Sequence, residues 1–174
     1  MAPKPCWDGA GELNRELRRL AEAYALAARE VLGDNLVSVV LFGSVARGEA
    51  GPGSDIDLLV VCRDLPAGAF RRRRLVEPVE ERLEPALRPL WEHGLCAGFT
   101  VVLRTEAEAA CFHRLYLDMV EEAVLLYDRD GFFAFVLARL RGRLRALGAE
   151  RRRLGDVAYW DLKPDFRPGD VIEL

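Results

Sequence analysis

An α+β fold, with helices packed on a short mixed sheet, is predicted for this 174-residue chain from three observations. Two valine- and leucine-rich runs, 36–42 and 56–62, have strand composition. Amphipathic helical patterns flank them. The stretch between them opens on Gly43-Ser44 and closes, after ten intervening residues, on Asp55-Ile56-Asp57. A chain of this length can bury a core without disulfides or a structural metal. Neither an internal repeat nor a low-complexity linker divides it, so one domain over 1–155 is expected, with an extended or disordered tail over 156–174.

Each element has its own signal. Leu13, Leu17, Leu20, Tyr24, Ala27, Ala28 and Val31 recur at helical spacing over 12–32, and Gly33 can end that helix. Asp34-Asn35 turns the chain into the strand 36–42, which stops at Gly43. A short helix is expected over 44–49, and Gly51-Pro52-Gly53 breaks it. The run 56–62 is nearly continuously apolar, as a strand buried on both faces is, and pairs centrally with 36–42. Over 67–91 the pattern is helical, but Pro78, Pro85 and Pro89 predict a broken helix rather than one rod. A third strand is expected over 99–103. Thr105 followed by Glu108 spells a capping box for a helix running to about Met119. A short strand over 123–127, a turn at Asp130-Gly131 and a helix over 132–147 complete the order, with Phe133, Val136, Leu137, Leu140 and Leu144 facing inward.

Composition narrows the classes of function. A formal charge of -3 excludes a uniformly basic protein that coats nucleic acid. The basic residues are nearly all arginine, with Lys4 and Lys163 the only lysines. Cys6, Cys62, Cys96 and Cys111 show no C-x-x-C spacing, which fits free thiols in a reducing cytoplasm. No apolar run approaches the roughly 18 residues needed to span a bilayer, and no charged start precedes an apolar segment. A soluble cytoplasmic protein without a membrane partner is therefore expected.

The central motif carries the chemistry. A strand that ends in Gly-Ser and enters a helix presents free backbone N–H groups, a positive helix end and the Ser44 hydroxyl, all suited to a phosphate oxygen. Gly43 lets the backbone approach closely. Asp55 and Asp57 are two apart, so on a strand their carboxylates share a face and together suit a hard divalent cation. Magnesium fits best, because it takes oxygen ligands and commonly combines one or two carboxylates with substrate phosphates. Arg47 stands near enough in sequence to neutralise a phosphate or pair with an acid, and Ser54 to cap or orient the Asp55 segment.

Residues 36–61 resemble the nucleotidyltransferase fold of the DNA polymerase beta superfamily, especially its small stand-alone members, the minimal nucleotidyltransferases. The segment 121–132, E-E-A-V-L-L-Y-D-R-D-G-F, resembles more loosely the stretch that comes after the catalytic strands in such proteins. The resemblance implies that Gly43 and Ser44 grip a nucleoside triphosphate, ATP being the favoured one, and that Asp55 and Asp57 bind magnesium. It implies transfer of a nucleoside monophosphate to an acceptor hydroxyl with release of pyrophosphate. Active members usually carry a third acid on a neighbouring strand. Here Thr100 occupies that position in F-T-V-V-L, and Glu92 and Glu106 only flank the strand. A nucleotide-binding regulatory or antitoxin-like module with weak or no transfer is therefore the alternative, its implied partner a separate HEPN-like protein. An antibiotic-modifying transferase ranks lower, since so short a chain needs a homodimer to build an acceptor domain.

Blander explanations account for the remaining clusters. His93-x-x-Cys96 and Cys111-x-His113 can be assembled into a zinc site, but core cysteines and surface histidines explain them more simply. Arg71 to Arg74 and the arginines from 139 to 153 can meet nucleic-acid phosphates, yet the interleaved Glu77, Glu80, Glu81 and Glu150 favour solvated helix faces.

Overall fold

A computed structural model describes residues 10–155, 157–167 and 170–174. Cys6, Asp156, Pro168 and Gly169 lie outside the described residues. Helix α1 (Ala10–Leu32) and a 3-10 turn (Gly33–Asn35) lead into strand β1 (Leu36–Phe42). Helix α2 (Gly43–Arg47), strand β2 (Ile56–Cys62), helix α3 (Ala69–Glu92) and strand β3 (Phe99–Thr105) come next. Helices α4 (Glu106–Ala110) and α5 (Tyr116–Glu122), strand β4 (Val124–Asp128), helix α6 (Phe132–Ala146) and the hairpin β5 (Glu150–Leu154) and β6 (Val157–Asp161) complete the chain.

The sheet order is β3-β2-β1-β4. β2 and β3 run parallel, while β1 is antiparallel to both β2 and β4, so the sheet is mixed and the two expected strands are its centre. Alternation divides it between two cores. Leu36, Val39 and Leu41 of β1 and Ile56, Leu58 and Val60 of β2 join Leu17, Leu20 and Tyr24 of α1 and Val79 and Leu83 of α3. Val37, Val40, Leu59 and Val61 point the other way, to Tyr116 and Met119 of α5 and Phe133, Val136 and Leu140 of α6. Each fully buried aliphatic side chain of this kind contributes about 1.5–3 kcal/mol. Among the described residues no helix is long and apolar enough to cross a membrane.

Three expectations are corrected. Helix α3 is continuous across Pro78, Pro85 and Pro89. All three prolines are exposed, as are Arg74, Glu81 and Pro85, whose carbonyls lose their partners, so the lost bonds fall on the solvent side of the helix. Val76, Val79, Leu83, Leu87 and Leu90 meanwhile stay buried along the opposite face. The helix capped by Thr105 does not reach Met119: it ends at Ala110, Cys111 is extended, and α5 begins anew at Tyr116. The capping box itself is present, with Thr105 Oγ1 accepting from Glu108 N at 3.1 Å and Glu108 Oε2 accepting from Thr105 N at 3.0 Å. Strands β5 and β6 pair as an antiparallel hairpin in which Arg151 lies opposite Trp160, so Arg151 to Arg153 lie on a strand, while Arg139 to Arg145 keep the expected helix in α6.

Asp128 joins β4 to α6. One oxygen accepts from Ser38 Oγ at 2.6 Å and Phe133 N at 2.9 Å, and the other from Ala134 N at 3.0 Å. This caps α6 and satisfies Ser38, the buried polar residue of β1.

Candidate active site

The central motif folds into one compact constellation. Gly43 leaves β1 with φ +73°, and a Cβ placed on it would lie 2.3 Å from Asp57 Oδ2, so only glycine fits. The Gly-Ser turn therefore abuts the Asp57 carboxylate directly. Ser44 Oγ donates to Ser54 Oγ at 3.2 Å, and Ser54 Oγ accepts from Gly51 N at 3.0 Å, which closes the loop between α2 and β2. Asn14 of α1 fixes the same loop from behind, donating to the Val45 carbonyl at 3.3 Å and accepting from Ala50 N at 3.2 Å.

Asp55 precedes β2, where Ile56 N donates to the Gly98 carbonyl at 2.8 Å. Its Oδ1 accepts from Gly98 N at 3.1 Å and its Oδ2 lies 3.5 Å from the Thr100 hydroxyl. Asp57 shares its strand parity with Leu59 and Val61, and thus lies on the α5–α6 side of the sheet. Burial pushes the Asp57 carboxyl above its ordinary range, and the neighbouring charge of Asp55 pushes it further, against the pull of Arg47.

That raised carboxyl tests the fit of a metal. The Asp55 charge is felt at Asp57, which is partly buried while Asp55 is exposed, and such a pair of hard oxygen donors suits magnesium rather than a softer ion. Asp55 and Asp57 are the residues that would hold it. Among the described residues no group of three or more acidic, histidine or cysteine side chains gathers to bind a metal. The zinc arrangement of His93, Cys96, Cys111 and His113 is thus not assembled; Cys96 and Cys111 are exposed, and among the described residues Cys62 is the buried thiol. Neither Glu92 nor Glu106 completes a three-carboxylate cluster. Glu106 opens α4 beyond the far end of β3, roughly 20 Å along the strand from Thr100. Thr100 stands in parallel register with Asp57, the position at which the resemblance implies a third acid.

Beside the constellation lies a cleft of about 590 Å³ lined by Arg47, Glu49, Asp118, Glu122 and Arg151 to Arg153. Arg47 Nε donates to Glu49 at 2.6 Å and its Nη1 to Glu122 at 3.1 Å. Glu122 also pairs with Arg151 of β5. The arginines of α3 have a different surrounding: Arg72 makes two bonds of 2.8 Å to Glu108, and Arg73 pairs with Glu80. Their pairing supports the structural explanation of that run.

The family profile of the nucleotidyltransferase domain matches residues 27–125, which span α1 to β4 and hold every part of the Gly-Ser and Asp-x-Asp constellation. The chain belongs to the nucleotidyltransferase domain family. A relative from Methanocaldococcus jannaschii, provisionally named a protein adenylyltransferase, is 26% identical over 125 residues, 72% of this chain and 81% of its own length. A toxin–antitoxin crystal structure with AMP-PNP is 18% identical, covering 73% of this chain and 92% of that one, with a TM-score of 0.45. A complex of a tri-AMPylated Shewanella oneidensis HEPN toxin with its MNT antitoxin is 15% identical, covering 75% and 92%, with a TM-score of 0.44.

In this nucleotidyltransferase domain, sequence reasoning singled out Gly43, Ser44, Arg47, Ser54, Asp55 and Asp57, and the fold brings all six to one end of the two central strands. It missed Asn14, Gly98 and the Glu122–Arg151 pair. Gly98 was findable as the residue just before the third strand. Arg151 lay in a run with no apolar alternation, and nothing in the sequence tied that run to Glu122.

Proposed function

We propose that the chain is a magnesium-dependent nucleotidyltransferase that moves a nucleoside monophosphate from a nucleoside triphosphate, ATP foremost, to an acceptor hydroxyl. The contact that leaves no room for a Cβ between Gly43 and Asp57 carries this reading, because it sets a phosphate-gripping turn against a carboxylate pair. Gly43 and Ser44 hold the phosphate chain with backbone N–H groups and a hydroxyl. Asp55 and Asp57 hold the cation, and Arg47 supplies positive charge beside them. Ser54 keeps the loop closed. Magnesium, when bound, supplies Lewis-acid neutralisation of the phosphate oxygens. The acceptor oxygen forms a bond to the α-phosphorus as its hydroxyl proton passes to solvent, the bond from that phosphorus to the bridging oxygen of the β-phosphate breaks, and pyrophosphate leaves with that electron pair.

The name of the M. jannaschii relative supports a protein as the acceptor and adenylate as the group transferred. The family resemblance adds a separate HEPN-like protein as the partner to test first. A second reading, nucleotide binding with weak or no transfer, is favoured by Thr100, whose register opposite Asp57 provides a hydroxyl where a carboxylate would deprotonate the acceptor.

Purified protein incubated with magnesium and labelled ATP, CTP, GTP or UTP, with and without a candidate acceptor protein, separates the two. Transfer predicts pyrophosphate release and acceptor labelling, both lost in the Asp55→Ala/Asp57→Ala variant. Binding without turnover under all conditions would favour the second reading. Nucleotide binding indifferent to magnesium and to the aspartates would remove both.

A further inference from the structure

We infer that Glu122 and Arg151 are positioning residues for the nucleotide, acting through Arg47; the inference rests on the nucleotide-site reading above. Arg47 is the last residue of α2, the five-residue helix that opens on Gly43 and Ser44, so it stands one turn from the proposed phosphate grip. Its guanidinium is not free to settle anywhere: Nε is held by Glu49 and Nη1 by Glu122, at 2.6 and 3.1 Å.

Glu122 is an unusual partner. It is the last residue of α5, where the helix end is negative and a carboxylate is disfavoured, and its side chain is only 13% exposed. An anion so placed needs more than one cation. Arg151 of β5 supplies the second, pairing with Glu122 and with Glu121 at 3.1 Å, while Asp118 lies 3.9 Å away. The Glu122 carboxylate is thereby shared between two guanidiniums, which leaves Arg47 with positive charge to direct at the constellation. Without Arg151, the Glu122 carboxylate keeps Arg47 as its one paired guanidinium among the described residues. Arg47 is then drawn onto Glu122, and the surplus negative charge of Asp118, Glu121 and Glu122 faces the phosphates.

The hairpin thus does more than close the chain. It sets the charge of the cleft beside the Gly-Ser turn from a strand far from the motif in sequence, and Arg152 and Arg153 line the same cleft.

Titration calorimetry of the full chain with magnesium and AMP-PNP tests this. Arg151→Met should weaken binding about tenfold, and Arg151→Lys, which keeps the charge, should remain within about threefold of wild type. Thermal melting of each variant checks that the fold is retained. In the Arg47→Met background, Arg151→Met should add less than about a twofold loss, since its action passes through Arg47. In the Glu122→Gln background its effect should shrink likewise. Wild-type affinity in Arg151→Met, or a loss that adds in full to that of Arg47→Met, would overturn the inference while leaving the nucleotide site standing. Absence of wild-type binding, or binding unchanged in Asp55→Asn/Asp57→Asn, would overturn the site and the inference with it.

Discussion

The two central strands and the C-terminal hairpin are held by different physics. Every residue of β1 from Leu36 to Leu41 is buried, and β2 is buried at six of its seven positions, between helices on both faces. All five residues of β5 are exposed, and Arg151 ties that strand to α5 through carboxylates. In the first region, packing places the chemistry: once Leu58 and Leu59 take opposite faces, Asp57 has no freedom to choose its side. In the second, charge places it, and charge can be screened. A site that joins the two has a rigid carboxylate pair and an adjustable cationic wall.

The largest test of this contrast is core truncation. Leu58→Ala, in a fully buried position between β1, α1 and α3, should cost about 2–5 kcal/mol in urea unfolding. Leu154→Ala on β5 removes a side chain that is 77% exposed and should stay within about 0.5 kcal/mol. Comparable losses at the two positions would show that the hairpin belongs to the cooperative core.

Gly43→Ala comes next. The alanine must adopt φ +73° and push Asp57 aside, costing about 1–2 kcal/mol of stability and, on the proposed function, over tenfold in AMP-PNP affinity. Gly48→Ala is its control: φ there is +78°, but the added Cβ meets nothing within 4 Å. It should lose less stability, by the backbone strain alone, and keep most of its affinity. Equal affinity losses in the two variants would separate the Gly43 requirement from contact with Asp57.

How far the sequence could be read obeys the same divide. The bounds of β1 and β2 were legible because burial on both faces writes a continuous apolar run that ends sharply at Gly43 and after Cys62. Gly43, Ser44, Asp55 and Asp57 were legible because they sit within one short stretch of sequence, from the start of α2 to the start of β2. Helix α3 was misread because proline was weighed without its face: Pro78, Pro85 and Pro89 share the solvent side, where the lost bonds cost least. The hairpin was missed because a strand exposed at all five positions has no alternation to display. Glu122 was missed because its partner Arg47 is 75 residues away and nothing local marks the meeting.

A smaller effect tests electrostatics within the packed body. Two bonds from Arg72 and the Thr105 amide hold the Glu108 carboxyl down at about 2. A carboxyl lowered on folding stabilises above its unfolded value and loses that contribution as pH falls through the folded one. The Glu108 contribution is therefore complete above about pH 4.5 and fades between there and about pH 2. Thr105→Ala, which removes the Oγ acceptor of the box, should cost about 1 kcal/mol near neutral pH. Glu108→Gln should flatten the acid limb of a Tm-against-pH curve between those values. An unchanged acid limb would assign the fall to other carboxylates.

The smallest expected effect concerns salt. Exposed ion pairs contribute about 0.2–1 kcal/mol each, and raising salt to 1 M shortens the screening length to about 3 Å. Arg151 and Arg152 make most of the hairpin's polar contacts, to Asp118, Glu121 and Glu122 and to Glu150 and Asp161. Amide hydrogen exchange at 1 M salt should therefore quicken by about two- to fivefold in β5 and β6 while β1 and β2 hold their rates. Glu122 sets the lower bound on that change, because its small exposure shields its pair with Arg151 from ions in solution. Trp160 and Leu162 set another, since both pack on the α5–α6 core and are indifferent to screening. A hairpin whose exchange ignores salt would place its anchorage in those two apolar contacts, and the cationic wall of the cleft would then be as fixed as the carboxylates it faces.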